Sequence, residues 1–349
     1  MQQVPIISVY NLQPHSYKTT TALSLAHEWF QRGKTVLLID CDPLGSLTKL
    51  MTRQTSPSES SNSSEPIVTN IARELSHMVT EIRQLDTVCA GQEGKPKMTV
   101  LLRENTHKEL LCYRKTEDNK ILLLPSDPSL ARVTSEFLNM PVSRFRMSLS
   151  YFLVASIRSF LKSLCITTLA DVIIIDLPSV DYGFSKLFWL NSTSYVCPIY
   201  NFNDFRKNYM LTCVRQLVSW QRWLTWLRRI VAPGKLDSNS IPDRWPELIA
   251  EIIFHNDLDL TESDNGSPLS EKRVVSRLYV RIPPSIYDVC AAKRKSVAEL
   301  DAADLDMMVL DKSKFIKDSA DVFKQLVDVC ASRLSPKRDE STGPPKTNS

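Results

Sequence analysis

One lysine, two threonines and three aspartates have the spacing of a phosphate and cation site. Lys18, Thr19 and Thr20 form a Lys-Thr-Thr run at the start of an amphipathic stretch. Asp40, Asp42, Pro43 and Gly45 close a second apolar run, and Asp176 ends a third. An ammonium, a hydroxyl and carboxylates at the carboxyl ends of strands suit a phosphate with its counter-cation, because ligands of parallel α/β sheets bind there. A phosphate loop also needs successive backbone N–H groups turned inward beside a helix N-terminus. Glycines usually permit that turn. Here the residues before Lys18 are Gln13-Pro14-His15-Ser16-Tyr17, with no glycine. Pro14 removes one donor. A non-glycine residue at φ > 0 costs about 1–2 kcal/mol.

The elements that must position these groups are legible. Pro5 to Tyr10 is a short apolar run suited to a buried parallel strand. Thr20 to Arg32 carries Ala22, Leu23, Leu25, Ala26, Trp29 and Phe30 at helical spacing, Gly33 is a helix stop, and Val36 to Ile39 is the second strand. A Ser- and Pro-rich stretch at about 52–66 reads as a flexible loop, and 68–88 as a helix. Residues 98–113 suit a helix or a short strand pair. From Ile121 a strand feeds Pro125-Ser126, and an Asp-Pro-Ser cap starts a helix. A helix over 146–164 precedes Val172–Ile175, a four-residue aliphatic run of the kind buried on both faces of a sheet. Strands follow at 194–198, ended by Pro198, and around 247–257, with a helix over 207–230 between them. A last strand near 278–282 and an amphipathic helix at about 318–334 end the fold. The expected fold class is α/β: one doubly wound, mainly parallel sheet flanked by helices on both faces, spanning 1–334, with a disordered polar tail at 335–349.

The stretch from 5 to 48 resembles the ParA/MinD group, the deviant Walker-A P-loop ATPases that partition plasmids and chromosomes or position cellular structures. Their loop runs K-G-G-x-G-K-T-T and their second strand ends D-x-D-P-x-G. Lys18, Thr19 and Thr20 match the first motif, and Asp40, Asp42, Pro43 and Gly45 the second. The Pro125-Ser126 and Ile282-Pro283 segments extend the resemblance, which is weakest over 50–118. The family's first, signature lysine falls on Gln13, and its three glycines on Pro14, His15 and Tyr17.

The resemblance implies ATP and Mg²⁺ as cofactors. Lys18 would bridge β- and γ-phosphates, Thr19 would ligate Mg²⁺, Asp42 would orient the attacking water, and Asp40 and Asp176 would hold Mg²⁺, partly through water. Thr20 would join Lys18, Thr19, Asp40 and Asp176 in binding the nucleotide. It also implies a homodimer, a partition-type adaptor, and nonspecific DNA contact through Lys293, Arg294 and Lys295, with Lys312, Lys314 and Lys317 as further candidates. The signature lysine reaches across the dimer in this family. Gln13 supplies no such charge, so hydrolysis should be weak or lost. The rival expectation is a pseudo-ATPase, a scaffold or regulator that binds a ParA-like or other protein partner without nucleotide. A third is an unrelated α/β enzyme using the same strand ends for another anion. Plainer readings stand beside these: Lys18 as a solvated helix-start lysine, Thr19 as an N-cap, Asp40 and Asp176 as strand-end caps, and the basic residues as a solvated face.

Composition sets the bounds. The chain has 349 residues, 43% hydrophobic, with a formal net charge of +4. That charge permits nucleic-acid contact without arguing for it. Eight cysteines are scattered with no C-x-x-C pair, as in a reduced cytoplasmic protein, and five dispersed histidines suggest no metal site. No apolar run approaches the ~20 residues of a membrane helix, so no membrane partner is expected. Three tryptophans, Trp220, Trp223 and Trp226, stand three apart among arginines and read as the core face of their helix.

Overall fold

The aliphatic runs become strands because each can be buried on both faces. Ile6–Val9 forms β1, Val36–Asp40 β2, Lys120–Leu124 β4 and Val172–Asp176 β5. Leu111–Lys115 (β3), Ser194–Tyr200 (β6), Glu247–Leu258 (β7) and Val274–Arg281 (β8) complete the set. The computed structural model describes residues 4–54, 70–89, 110–138, 146–179, 184–200, 204–230, 242, 246–258, 274–281, 292–294 and 322–334. Among these, eight strands form one sheet in the order β3-β4-β2-β5-β1-β6-β7-β8. The six strands from β4 to β7 pair in parallel, and β3 and β8 add antiparallel edges.

Period-two alternation divides the sheet's side chains between two apolar layers. Val36 and Leu38 of β2 and Val172 and Ile174 of β5 face one layer, with Ala22, Leu25, Ala26 and Trp29 from α1 (Lys18–Gln31). Leu47 and Met51 of α2 (Ser46–Gln54) and Leu326, Val327 and Cys330 of α8 (Val322–Leu334) complete that layer. Leu37, Ile39, Ile173 and Ile175 face the other layer. Buried side chains of α3 (Ile71–Cys89), α4 (Ser129–Leu138), α5 (Arg146–Thr168), α6 (Phe184–Leu190) and α7 (Asp204–Ile230) fill it. Helices thus cover both faces of a mainly parallel sheet, as the sequence predicts.

Several local signals act as expected. Gly33, at φ 75°, ends α1; its N–H bonds to Phe30 O at 3.0 Å and that of Lys34 to Trp29 O at 3.1 Å, a Schellman pair. The Asp127 carboxylate accepts Ser129 N–H at 2.8 Å and starts α4.

Other boundaries move. β6 runs through Pro198 to Tyr200 instead of ending there. Its pairing with β1 stops at Val196, and beyond that point β6 pairs only with β7, so the missing N–H is tolerated. The helix α2 continues to Gln54, into the stretch read as a loop, whose remainder lies outside the described residues. The 98–113 segment contributes the edge strand β3 from Leu111. Trp220 is buried, Trp223 is half-buried beneath the Lys186 ammonium at 3.4 Å, and Trp226 is 48% exposed, so only part of that stripe is core. Ile282-Pro283 and the tail lie outside the described residues. Among the described residues, Cys41, Cys112, Cys165, Cys197 and Cys330 form no disulfide. Among the described residues no helix is long and apolar enough to cross a membrane.

Candidate functional site

The loop leaves β1 at the centre of the sheet, where the strand order reverses, which is the position of ligand sites in open α/β sheets. Asn11 is fully buried and organises the turn. Its Oδ1 accepts Gln13 N–H at 2.9 Å, and its Nδ2 donates to Pro198 O at 2.6 Å. Gln13 is 1% exposed, and its side-chain amide donates to Tyr200 O at 3.2 Å. The residue at the signature-lysine position therefore points inward and ties the loop to β6.

His15 and Tyr17 adopt left-handed backbone angles, φ 56° and 60°. These are two of the positions where the resembled motif has glycine, so the loop takes the turn without the residue that makes it easy. Each costs about 1–2 kcal/mol. Tyr17 carries an offsetting contact: its ring stacks on Phe254 at 4.6 Å and meets Tyr200 edge-on at 5.5 Å. Aromatic pairs contribute about 0.5–1.5 kcal/mol each, the same size as the strain.

α1 starts at Lys18, with Tyr17 in the cap position, no side-chain cap and no acidic residue in its first turn. Thr19 is thus not an N-cap. First-turn amides have no intrahelical acceptor and give the helix end a positive potential. Lys18 Nζ donates to Ser179 Oγ at 2.5 Å, and to Gln13 O and Ser16 Oγ at 3.4 Å each. The Thr19 hydroxyl donates to Asp176 Oδ2 at 2.7 Å. Thr20 is exposed on the same turn.

Asp40 and Asp176 are direct register partners on β2 and β5, and both are essentially inaccessible. Asp40 Oδ1 accepts Asp42 N–H at 3.1 Å, and its Oδ2 accepts Thr48 N–H at 2.8 Å and Thr48 O–H at 2.7 Å. Ser126 N–H donates to Thr48 Oγ1 at 2.9 Å, and Ser126 O–H to Asp42 O at 2.6 Å. The strand end, the first turn of α2 and the segment after β4 are thereby fastened to one carboxylate. Asp42 accepts Leu44 N–H at 3.0 Å and Ser46 O–H at 3.3 Å, which closes the turn leading into α2. Burial pushes Asp40 up to about 6. Burial, reinforced by the neighbouring Asp40 charge, pushes Asp176 up to about 8, against the Thr19 hydrogen bond and Lys18.

Two adjacent buried carboxylates repel, and a divalent cation is the chemistry that relieves them. No group of three His, Cys, Asp or Glu side chains among the described residues is placed to hold a metal ion. The hard oxygens of Thr19 and Asp176 instead fit Mg²⁺, which keeps waters and shares phosphate oxygens rather than taking an all-protein cage. Of the basic candidates, Lys293 and Arg294 are exposed, and Lys295, Lys312, Lys314 and Lys317 lie outside the described residues.

The structure thus brings Lys18, Thr19, Asp40 and Asp176 together and places Asp42 at the rim. Sequence reasoning missed Asn11, Thr48 and Ser179. Ser126 was visible only as part of a Pro-Ser segment. Ser179, three residues after Asp176, had a signal in its position; Asn11 and Thr48 had none.

No curated protein sequence matches the chain. Solved structures similar to it include cobyrinic acid a,c-diamide synthase from Mycobacterium smegmatis with ADP and magnesium, 18% identical, covering 57% of this chain and 60% of that one, with a TM-score of 0.35. The ATP complex of a McdA variant from Cyanothece is 16% identical over 64% of this chain and 66% of its own, with a TM-score of 0.42. A plasmid partition protein from Borrelia burgdorferi is 16% identical over 66% and 74%, with a TM-score of 0.39. The chain therefore spans less than two thirds of the length of the first two. At such scores the assignment rests on the family model, that of an AAA domain, which matches residues 4–200. That match takes in more than half of the 349 residues, and the chain belongs to this AAA domain family.

Proposed function

We propose that the chain binds ATP with Mg²⁺ at the 11–19 loop and acts in DNA partition or cargo positioning, with weak or lost hydrolysis. The observation that carries this is the meeting of Lys18, Thr19 and the Asp40–Asp176 pair at one sheet end, beside the uncapped start of α1. The amides of α1 and the Lys18 ammonium would bind phosphate, and Thr19 and Asp176 would hold Mg²⁺, with Asp40 behind them. Bound Mg²⁺ supplies charge neutralisation at the phosphates. Asp42 would orient water, and Thr20 would line the phosphate side. Hydrolysis is weak in this reading because Gln13 is neutral and turned inward to Tyr200. A homodimer, an adaptor, cytoplasmic location and DNA contact at Lys293 and Arg294 belong to the same proposal.

The second reading is a scaffold that binds a protein partner without nucleotide. It is favoured by one observation: Pro14 lacks a donor, and Ser179 Oγ, Gln13 O and Ser16 Oγ already accept from Lys18 within the protein. Thermal melting separates the two. Millimolar Mg–ATP should raise the melting temperature by several degrees if the site binds, since ligand well above its Kd adds about 2–4 kcal/mol. An unmoved melting curve favours the scaffold.

A further inference from the structure

The ammonium of Lys18 has three N–H donors, and among the described residues its acceptors include Ser179 Oγ, Gln13 O and Ser16 Oγ. Two of these belong to the loop. The third, at 2.5 Å the nearest, belongs to the segment leaving β5. Ser179 Oγ accepts from Lys18 and lies 3.4 Å from Gln13 O, within reach to donate its own proton there. A single charged group thus joins the phosphate loop to the residues that follow Asp176. Lys18 cannot reach a phosphate oxygen with a full set of donors while it keeps all three partners.

We infer that Ser179 is a latch on Lys18: it competes with an incoming phosphate for the ammonium, lowers the affinity of the site, and is released from the loop when phosphate binds. The inference rests on the nucleotide reading above and concerns a positioning residue, since Ser179 acts through Lys18. Loss of this charge-assisted hydrogen bond favours phosphate binding by about tenfold, which is about 1.4 kcal/mol. Arrival of phosphate would free the Ser179 hydroxyl, so that occupancy at the loop is transmitted to the end of β5.

The test uses the full chain with Ser179→Ala and Ser179→Thr, and two readouts. Acylation of Lys18 by an amine-reactive ester, followed by peptide mass spectrometry without nucleotide, reads the latch alone. Calorimetry with Mg–ATP reads the competition. Ser179→Ala should label faster at Lys18 and bind Mg–ATP about tenfold more tightly, and Ser179→Thr, which keeps the hydroxyl, should return both toward the wild type. Unchanged Lys18 labelling in Ser179→Ala, or weaker Mg–ATP binding, overturns the latch. Absence of Mg–ATP binding in all three proteins instead removes the nucleotide reading, and with it the competition, whatever the labelling shows.

Discussion

Tyr17 is where local backbone chemistry and packing oppose each other most clearly. Its left-handed angle disfavours any side chain, and its ring contacts with Phe254 and Tyr200 favour this one. Tyr17→Ala removes the contacts and keeps the strain, so it should destabilise by about 1–3 kcal/mol. Tyr17→Gly removes both and should be more stable than the alanine variant by about 1 kcal/mol. Urea denaturation of the pair reads the difference, and alanine equal to or above glycine would contradict it. Asp176 gives a pH signature. Its folded pKa of about 8 exceeds the ordinary 3.8, so the folded chain retains a proton that the unfolded chain releases. The stability tied to this carboxyl is fully present below pH 4 and lost as the pH rises to about 8. Asp176→Asn should flatten the fall between about pH 6 and 8, measured by denaturation without Mg²⁺. An equal slope in both proteins would place the proton elsewhere. The residue types of this site were legible in Lys-Thr-Thr and Asp-x-Asp-Pro. The direction of Gln13 was not, because it depends on Tyr200 O, 187 residues away.

At the scale of elements, α2 is held less by its own sequence than by Asp40. Thr48 donates both its N–H and its O–H to that buried carboxylate and accepts from Ser126. Thr48→Val keeps the shape and removes the hydroxyl. A charged buried acceptor then loses a donor, and Ser126 N–H loses its acceptor, so the expected loss is about 2–3 kcal/mol in denaturant unfolding. Thr48→Ser should retain most of the stability. A loss below about 0.5 kcal/mol for the valine variant would mean that Asp40 does not anchor α2. Strand and helix positions were readable where one period dominated, as in Val172–Ile175 and the α1 face. They were misread where tertiary context decides: Pro198 sits inside β6 because β1 stops short, and the exposure of Trp226 follows from how α7 lies on the sheet.

For the whole molecule, the expectation of one mainly parallel sheet with helices on both faces holds, and the order β4-β2-β5-β1-β6-β7 sets β1 and its loop at the reversal point. Sequence spacing could not place Asp40 opposite Asp176, because 136 residues separate them and only the β2–β5 pairing makes them neighbours. That pairing fixes the two carboxylates, and the first turn of α1 brings the Thr19 hydroxyl to Asp176, so neither placement depends on glycines in the loop. The most direct measurement is calorimetric titration of the full chain with Mg–ATP, beside Lys18→Ala and Asp42→Ala. Saturable binding is expected for the wild type, with roughly tenfold or greater weakening in Lys18→Ala through loss of a charge-assisted contact and little change in affinity for Asp42→Ala, whose proposed role is with water. No measurable heat from the wild type at millimolar Mg–ATP would contradict it.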